Sequence, residues 1–363
     1  MTSLLEPLSM LRGPALKNRF VLAPLTNLQS HSDGVMSEDE FRWLTKRAEG
    51  GFALTMTCAA SVQAAGVGFP GQLGVHDDKH LPGLTRLAAK IKTDDSVAVV
   101  QLHHAGMRTP KELVGGAAPL CPSADETTGA RAMSLDEVKR TADDFIAAAK
   151  RAERAGFDGV ELHGAHGYLI SQFLSSEINK REDAYGGSLE NRARLLFDII
   201  DGVRAATRAD FSLGVRLSPE RFGLKLMEIV EVAQKLLREA KIDYLDMSLW
   251  DAFKEPGDPA FKGHSLMSYF TELERGQVRL GAAGKIMSAA DCARAMAGGL
   301  DFVIIGRGAI LHHDFPRLVA QNADFTPHAL PVTEDYLRRE GLGEAFVKYM
   351  KTWAGFVAET ETV

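Results

Sequence analysis

The chain has 363 residues, 45% hydrophobic and 25% charged, with a formal net charge of −6. That is the composition of a globular protein; it holds no basic run suited to nucleic acid or an anionic membrane, and no apolar run of roughly 18 residues to span a bilayer. Cys58, Cys121 and Cys292 lie far apart with no C-x-x-C, which argues against a disulfide framework or a cysteine-ligated cluster and fits a reducing cytoplasm. The first residues lack a basic leader and meet Glu6 early, so they do not read as a signal peptide.

Apolar runs recur along the chain with helical patterns between them. The spacing predicts strands at Arg19–Pro24, Gly51–Thr57, Val97–Leu102, Gly156–Leu162, Ser212–Leu217, Tyr244–Ser248, Val278–Ala282 and Phe302–Ile305. Several are continuous rather than alternating, as strands buried on both faces of a parallel sheet require. Between the third and fourth runs, Ser134 and Glu137 form a capping box ahead of Val138, Ala142, Phe145 and Ala149. Ser188 caps the next helix, and Ile229, Val232, Ala233, Leu236 and Leu237 mark another at helical spacing. Ser288 with Asp291 starts a further helix that ends at Gly298–Gly299. Eight strand–helix alternations predict an α/β fold of the (β/α)8 TIM-barrel type. No linker divides the chain, so residues 1–363 read as one domain, with the barrel over about 17–315 and a helical C-terminal tail over 316–363.

In such barrels chemistry sits at the carboxyl ends of the strands. Here those ends carry Thr26, Thr57–Cys58, Gln101, His163, Arg216, Ser248, Gly284 and Gly306–Arg307. The fourth run opens into HGAHGYL, which sets His163, His166 and Tyr168 close together. Two imidazoles grip a carbonyl oxygen, and a phenol near pKa 10 keeps a proton to give. After the last two strands, Gly281, Gly284 and Gly306 let backbone N–H groups approach an anion, and Arg307 adds a fork of donors. GVGFPG at 66–71 matches a dinucleotide fingerprint only by letter, since no strand precedes it directly and Pro70 sits inside it.

These motifs converge. KNRFVLAPLTN at 17–27, VVQLHHAGM at 99–107, the ELHGAHGYL…QFLS…NKREDAYGGSLENR segment, VRLSPE at 215–220 and the two glycine loops resemble, in order, the old yellow enzyme family of FMN-dependent NAD(P)H oxidoreductases. The resemblance covers about residues 5–320 and implies FMN as cofactor and NADPH or NADH as reductant. It implies that Pro24, Leu25 and Thr26 line the isoalloxazine ring, that Thr57 or Cys58 touches its edge, and that Gln101 and Arg216 meet its pyrimidine side. It implies that Gly284, Gly306 and Arg307 hold the phosphate. His163 and His166 would bind the oxygen of a small α,β-unsaturated substrate, and Tyr168 would protonate its α-carbon. Departures are visible: Leu28 stands where some relatives carry Tyr, Thr26 where those same relatives carry Cys, and the histidine pair replaces a His/Asn pair. Arg338 or Arg339 is the nearest counterpart of an arginine that crosses a dimer in some relatives, which leaves a homodimer or higher homo-oligomer open.

Rival readings stay in view. His-x-x-His is also a metal-ligand spacing, but no clear third ligand accompanies it, and no metal is assigned. A lyase or aldolase on a phosphorylated substrate would use the same glycine loops with Lys285 as its amine. A non-catalytic flavin carrier would need neither imidazole nor phenol. The Tyr185–Gly187 turn and Arg192 read as architecture, Trp43, Trp250 and Trp353 as core or lid, and 250–265 as a surface loop or flap.

Overall fold

The computed structural model describes residues 4–359. Met1–Ser3 and the last four residues of the 1–363 span therefore lie outside the described residues. Eight parallel strands close into a barrel: β1 (Phe20–Leu22), β2 (Leu54–Ser61), β3 (Val97–His103), β4 (Gly159–Gly164), β5 (Ser212–Leu217), β6 (Tyr244–Ser248), β7 (Arg279–Ala283) and β8 (Phe302–Ile305). β1 pairs with β8 and with β2, so no edge remains unpaired. The eight predicted runs are the eight strands. Three match to the residue and five differ at their ends, two of these for a visible local reason. β4 begins at Gly159, because Gly156 takes φ 88° in the turn after the preceding helix. β2 continues to Ser61, because its register against β3 shifts between Met56 and Ala59. A bulge of this kind adds residues to one strand and re-aims those beyond it.

The helices start where their caps are. Ser134 accepts from the Glu137 N–H and Glu137 returns a bond to the cap in the helix Leu135–Arg154. Ser288 and Asp291 do the same for Ala289–Ala297. Ser188 caps Leu189–Ala206. Each such cap stabilises its helix by about 1 kcal/mol. The apolar faces of these helices pack on the outside of the barrel in one continuous layer that includes Phe145, Leu196, Ile229 and Leu236.

The barrel interior is filled rather than hollow. Val21, Leu54, Met56, Val99, Tyr244, Phe302 and Ile304 form its lower core, with Leu8 and Leu16 beneath. Gly281 belongs to this core and not to a phosphate loop. A Cβ there would meet the Phe302 ring at 2.1 Å, so glycine makes room for the phenyl group. Gly214 does the same for Tyr244, also at 2.1 Å.

The tail helix Glu344–Lys351 folds back to the carboxyl ends of the strands. Phe346 packs edge-on against Trp43 at 4.8 Å. Trp43 in turn lies under the Arg47 guanidinium, whose carbon is 3.3 Å from the ring centroid and which donates to the Ala309 carbonyl. Tyr185 and Arg192 are architectural: the Tyr185 hydroxyl donates to Asp198, and Arg192 binds Glu228 and the Leu174 carbonyl.

Candidate active site at the barrel mouth

Two adjoining cavities occupy the carboxyl end of the barrel, of ≈ 440 Å³ and ≈ 550 Å³. Both touch Pro24, Leu25, His166, Trp250 and Trp353, so they form one groove across the mouth. Gly284, Lys285, Gly306 and Arg307 line one end. Gln101, His163, Tyr168 and Thr26 line the other. The backbone is unusual around this groove. His166, Arg221, Phe222, Trp250 and Lys285 all hold φ between 51° and 71°, a left-handed region that non-glycine residues seldom enter. Such conformations persist where surrounding structure fixes them, and they gather at functional sites.

The two imidazoles and the phenol meet. The rings of His163 and His166 lie 5.1 Å apart, and those of His163 and Tyr168 also 5.1 Å. The Ala165 N–H donates to His163 Nδ1 at 3.3 Å, which puts the proton of the neutral ring on Nε2. His166 Nε2 lies 2.6 Å from Ser248 Oγ, at the end of β6. Burial lowers both basicities: His163 falls well below the usual imidazole range, and His166 drops to about 3, with Arg216 and Arg108 adding repulsion. Both rings are therefore neutral donors at physiological pH. Tyr168 stacks edge-on against His103 at 4.3 Å and lies beneath Arg108, whose guanidinium carbon is 4.7 Å from the phenol centroid. Burial raises the phenol above its ordinary value, so it holds its proton. His103 bonds Gln72 and His104 bonds the Gly106 N–H, so both pack structurally.

A buried polar layer lies under the mouth. Gln101 donates to Glu161 Oε1 at 2.8 Å. Arg216 Nε stands 3.1 Å from Asp246 Oδ2, close enough for an ion pair but without hydrogen-bond geometry. Arg216 Nη2 reaches Ser248 Oγ at 3.4 Å. Glu161 is raised by burial and by Asp246; Asp246 is raised by burial and pulled back by Arg216. Glu161 is thus the carboxyl that keeps its proton, and Asp246 carries the charge that faces the guanidinium.

Thr57 and Cys58 do not line the groove; Ala59 does. The bulge in β2 is the reason. Thr57 Oγ1 donates to the Cys58 carbonyl and accepts from the Gln101 N–H, while Cys58 sits in the core beside Glu40. All three cysteines are free and buried. Leu28 adopts φ 59° behind the β1 exit. Arg338 is occupied by Glu334, Asp335 and Glu344 of its own chain. Residues absent from the sequence expectation are Ala59, Arg108, Arg221, Phe222, Ile310, Phe346 and Tyr349. No group of three or more His, Cys, Asp or Glu side chains could hold a metal among the described residues, and no helix there is long and apolar enough to cross a membrane. Lys285 is paired with Asp251 at 3.0 Å, which engages the amine that a Schiff base would require.

The residues fit FMN. An elongated groove has a cationic, glycine-bearing end at Lys285, Gly306 and Arg307 for a phosphate. The short helix Arg307–Leu311 opens there, and its first N–H groups have no intrahelical acceptors. A Cβ at Gly306 would find only Leu25 and Ala23 beyond 3.6 Å, leaving room for a bulky group against the backbone. Gln101 and Arg216 present amide and guanidinium groups toward the same floor, the donors that a pyrimidine edge takes.

Residues 3–324 match the model of the NADH:flavin oxidoreductase / NADH oxidase family. A probable NADH-dependent flavin oxidoreductase, YqiG, of Bacillus subtilis (strain 168) is 37% identical over 314 residues, covering 84% of each chain. Among solved structures, the old yellow enzyme homologue from Zymomonas mobilis superposes with a TM-score of 0.80 at 28% identity, over 92% of this chain and 96% of that one. Morphinone reductase in complex with tetrahydroNAD gives 0.78 at 27% identity, over 93% and 94%.

Proposed function

The chain belongs to the NADH:flavin oxidoreductase / NADH oxidase family, that of the old yellow enzymes, and from that membership we propose that it is an ene-reductase that saturates an activated carbon–carbon double bond. It is an FMN-carrying, NAD(P)H-dependent oxidoreductase. We read the described chain as one flavin-binding barrel domain whose tail closes the substrate side.

Bound FMN supplies the hydride chemistry, accepting from NAD(P)H and delivering to the second substrate. The chain's own residues supply the rest. Pro24, Leu25 and Thr26 form the ring-binding floor at the β1 exit. Gln101 and Arg216 bind the pyrimidine edge, and Arg216 there favours negative charge. Gly284, Gly306, Arg307 and Lys285 bind the phosphate. His163, through Nε2–H, and His166 bind the carbonyl oxygen of an enone or similar acceptor and stabilise the charge that develops on it. Tyr168 holds the proton destined for the α-carbon. Trp250, Phe346, Tyr349 and Trp353 supply aromatic walls to the groove.

The observation that carries this reading is the convergence of two neutral imidazoles and a protonated phenol on one wall of a groove whose far end is cationic. The test is anaerobic. The yellow protein is bleached with NADH or NADPH and then mixed with an enone such as cyclohexenone. Return of the colour together with the saturated ketone is expected. Reoxidation by oxygen or a quinone alone, with the enone recovered intact, would refute alkene reduction while leaving the flavin oxidoreductase assignment in place.

A further inference from the structure

The mouth of the groove carries charge that the steps above leave unused. Arg108 and Arg221 both line the wall that holds His163, His166 and Tyr168. No carboxylate lines that cavity. Neither arginine has an ion-pair partner among the described residues. Beside Arg221 and Trp250, the acidic side chains of the rim are engaged: Glu220 holds Lys254 and the Gly257 N–H, and Asp251 holds Lys285. The contrast with a chain of net charge −6 is local and specific.

Both guanidinium groups are positioned. Arg108 Nη1 donates to the carbonyl of His166 at 2.5 Å, and its carbon lies 4.7 Å from the Tyr168 ring. Arg221 stacks on Trp250 at 4.7 Å and near Phe222 at 5.8 Å. Its φ of 71° keeps it at the rim. The face of an aromatic ring holds a guanidinium without neutralising it. Its planar fork remains free to take a carboxylate through two parallel bonds.

We infer that Arg108 and Arg221 form an anion-recognising rim, and that the preferred acceptor is an activated alkene that bears a carboxylate besides the carbonyl held by the imidazoles. This rests on the ene-reductase reading above and narrows its substrate class. The reductant also carries phosphates. In a nicotinamide nucleotide, however, a ribose separates the ring from the nearest phosphate, whereas Arg108 is bonded to the backbone of the oxygen-gripping histidine itself.

A pair of matched probes tests this with binding as the readout. 4-Hydroxybenzoate and 4-hydroxybenzamide present the same phenol oxygen to the imidazoles and differ in charge at the far end. Their affinities are read from the change in flavin absorbance of the oxidised holoenzyme. The benzoate is expected to bind about ten-fold more tightly, with the advantage shrinking as salt rises. In R108Q/R221Q the ratio should fall to near one, and R108K/R221K should recover part of it. Equal affinities in the wild type would overturn the anionic rim and leave the alkene-reductase reading standing. If neither probe perturbs the flavin, the oxygen grip itself fails and both fall. If R108Q/R221Q weakens NADH or NADPH binding and leaves the ratio at its wild-type value, the arginines serve the reductant and the inference is overturned.

Discussion

His166 Nε2 lies 2.6 Å from Ser248 Oγ, and Arg216 Nη2 approaches the same hydroxyl at 3.4 Å. The serine therefore joins one of the two groove imidazoles to the Arg216 guanidinium. It orients a ring whose backbone already sits at φ 60°. Ser248→Ala should free that ring and loosen the hold on a ligand oxygen. A single neutral hydrogen bond contributes about 1 kcal/mol, so phenol affinity should fall about five-fold. Flavin absorbance titration reads this directly. An unchanged dissociation constant would mean that the serine has no part in orienting His166.

Tyr168 keeps its proton because burial raises its pKa, and it lines only the end of the groove that holds Gln101 and His163. Tyr168→Phe should therefore leave the rate of flavin bleaching by NAD(P)H within about two-fold while slowing reoxidation by an enone roughly 10²–10⁴-fold, the usual weight of a positioned acid. Stopped-flow measurement of the two half-reactions separates them. Equal damage to both would remove Tyr168 from the donor role.

The cationic end of the groove makes a different demand. Arg307 opens the short helix after β8 beside Gly306, and Lys285 shares that end of the groove. Charge-assisted hydrogen bonds to an anion contribute about 1.5–3 kcal/mol. Arg307→Ala should accordingly weaken FMN binding by about ten-fold or more, seen as loss of yellow colour on gel filtration and recovered with added FMN. Full retention of flavin at low micromolar protein would place the phosphate elsewhere.

Much of this was legible in the sequence, for reasons that differ by element. The strands announced themselves because parallel strands buried on both faces are written in continuous apolar letters. His163, His166 and Tyr168 lie within six residues, so their meeting needed only one strand end. The bulge in β2 was not legible, because TMTCAAS carries no letter that marks a register shift, and it moved the wall residue from Thr57 or Cys58 to Ala59. The His166–Ser248 bond spans 82 positions and leaves no local trace. Phe346, Tyr349 and Trp353 do share a helical face in the sequence, yet nothing there says which surface that face will cover. Glu161 and Asp246 were readable as charged letters inside apolar strands. Such residues demand a buried partner, but the letters do not name it; the fold supplies Gln101 to Glu161 and Arg216 to Asp246.

Four imidazoles at the mouth are buried and neutral, which fixes the acid side of the stability curve. Burial lowers His104 to about 4 and His166 to about 3, and holds His103 and His163 well below the usual range. Their folded pKa values lie under the unfolded value near 6.5, so the unfolded chain binds protons first. The stability they contribute is complete above about pH 6.5 and is lost as pH falls through the folded values. Thermal unfolding should therefore show Tm falling steadily from about pH 6.5 toward about pH 4. A flat Tm across that window would mean that the imidazoles are already charged in the fold.

Glu161 makes the opposite demand on the alkaline side. Its Oε1 accepts from Gln101, its Oε2 has no partner, and Asp246 already faces the Arg216 guanidinium. The folded carboxyl is raised above its unfolded value, first by burial and then by Asp246. A raised group contributes stability while it is protonated in both states, below the ordinary carboxylate range. That contribution is lost as pH climbs through the folded pKa, by about 1.4 kcal/mol for each unit of separation. Glu161→Gln preserves shape and the bond to Gln101 yet never ionises. The variant should therefore gain on the wild type as pH rises, with a Tm difference more favourable at about pH 9 than at about pH 5. An identical difference at both would mean that Glu161 is ionised throughout, and Arg216 would then face two negative charges instead of one.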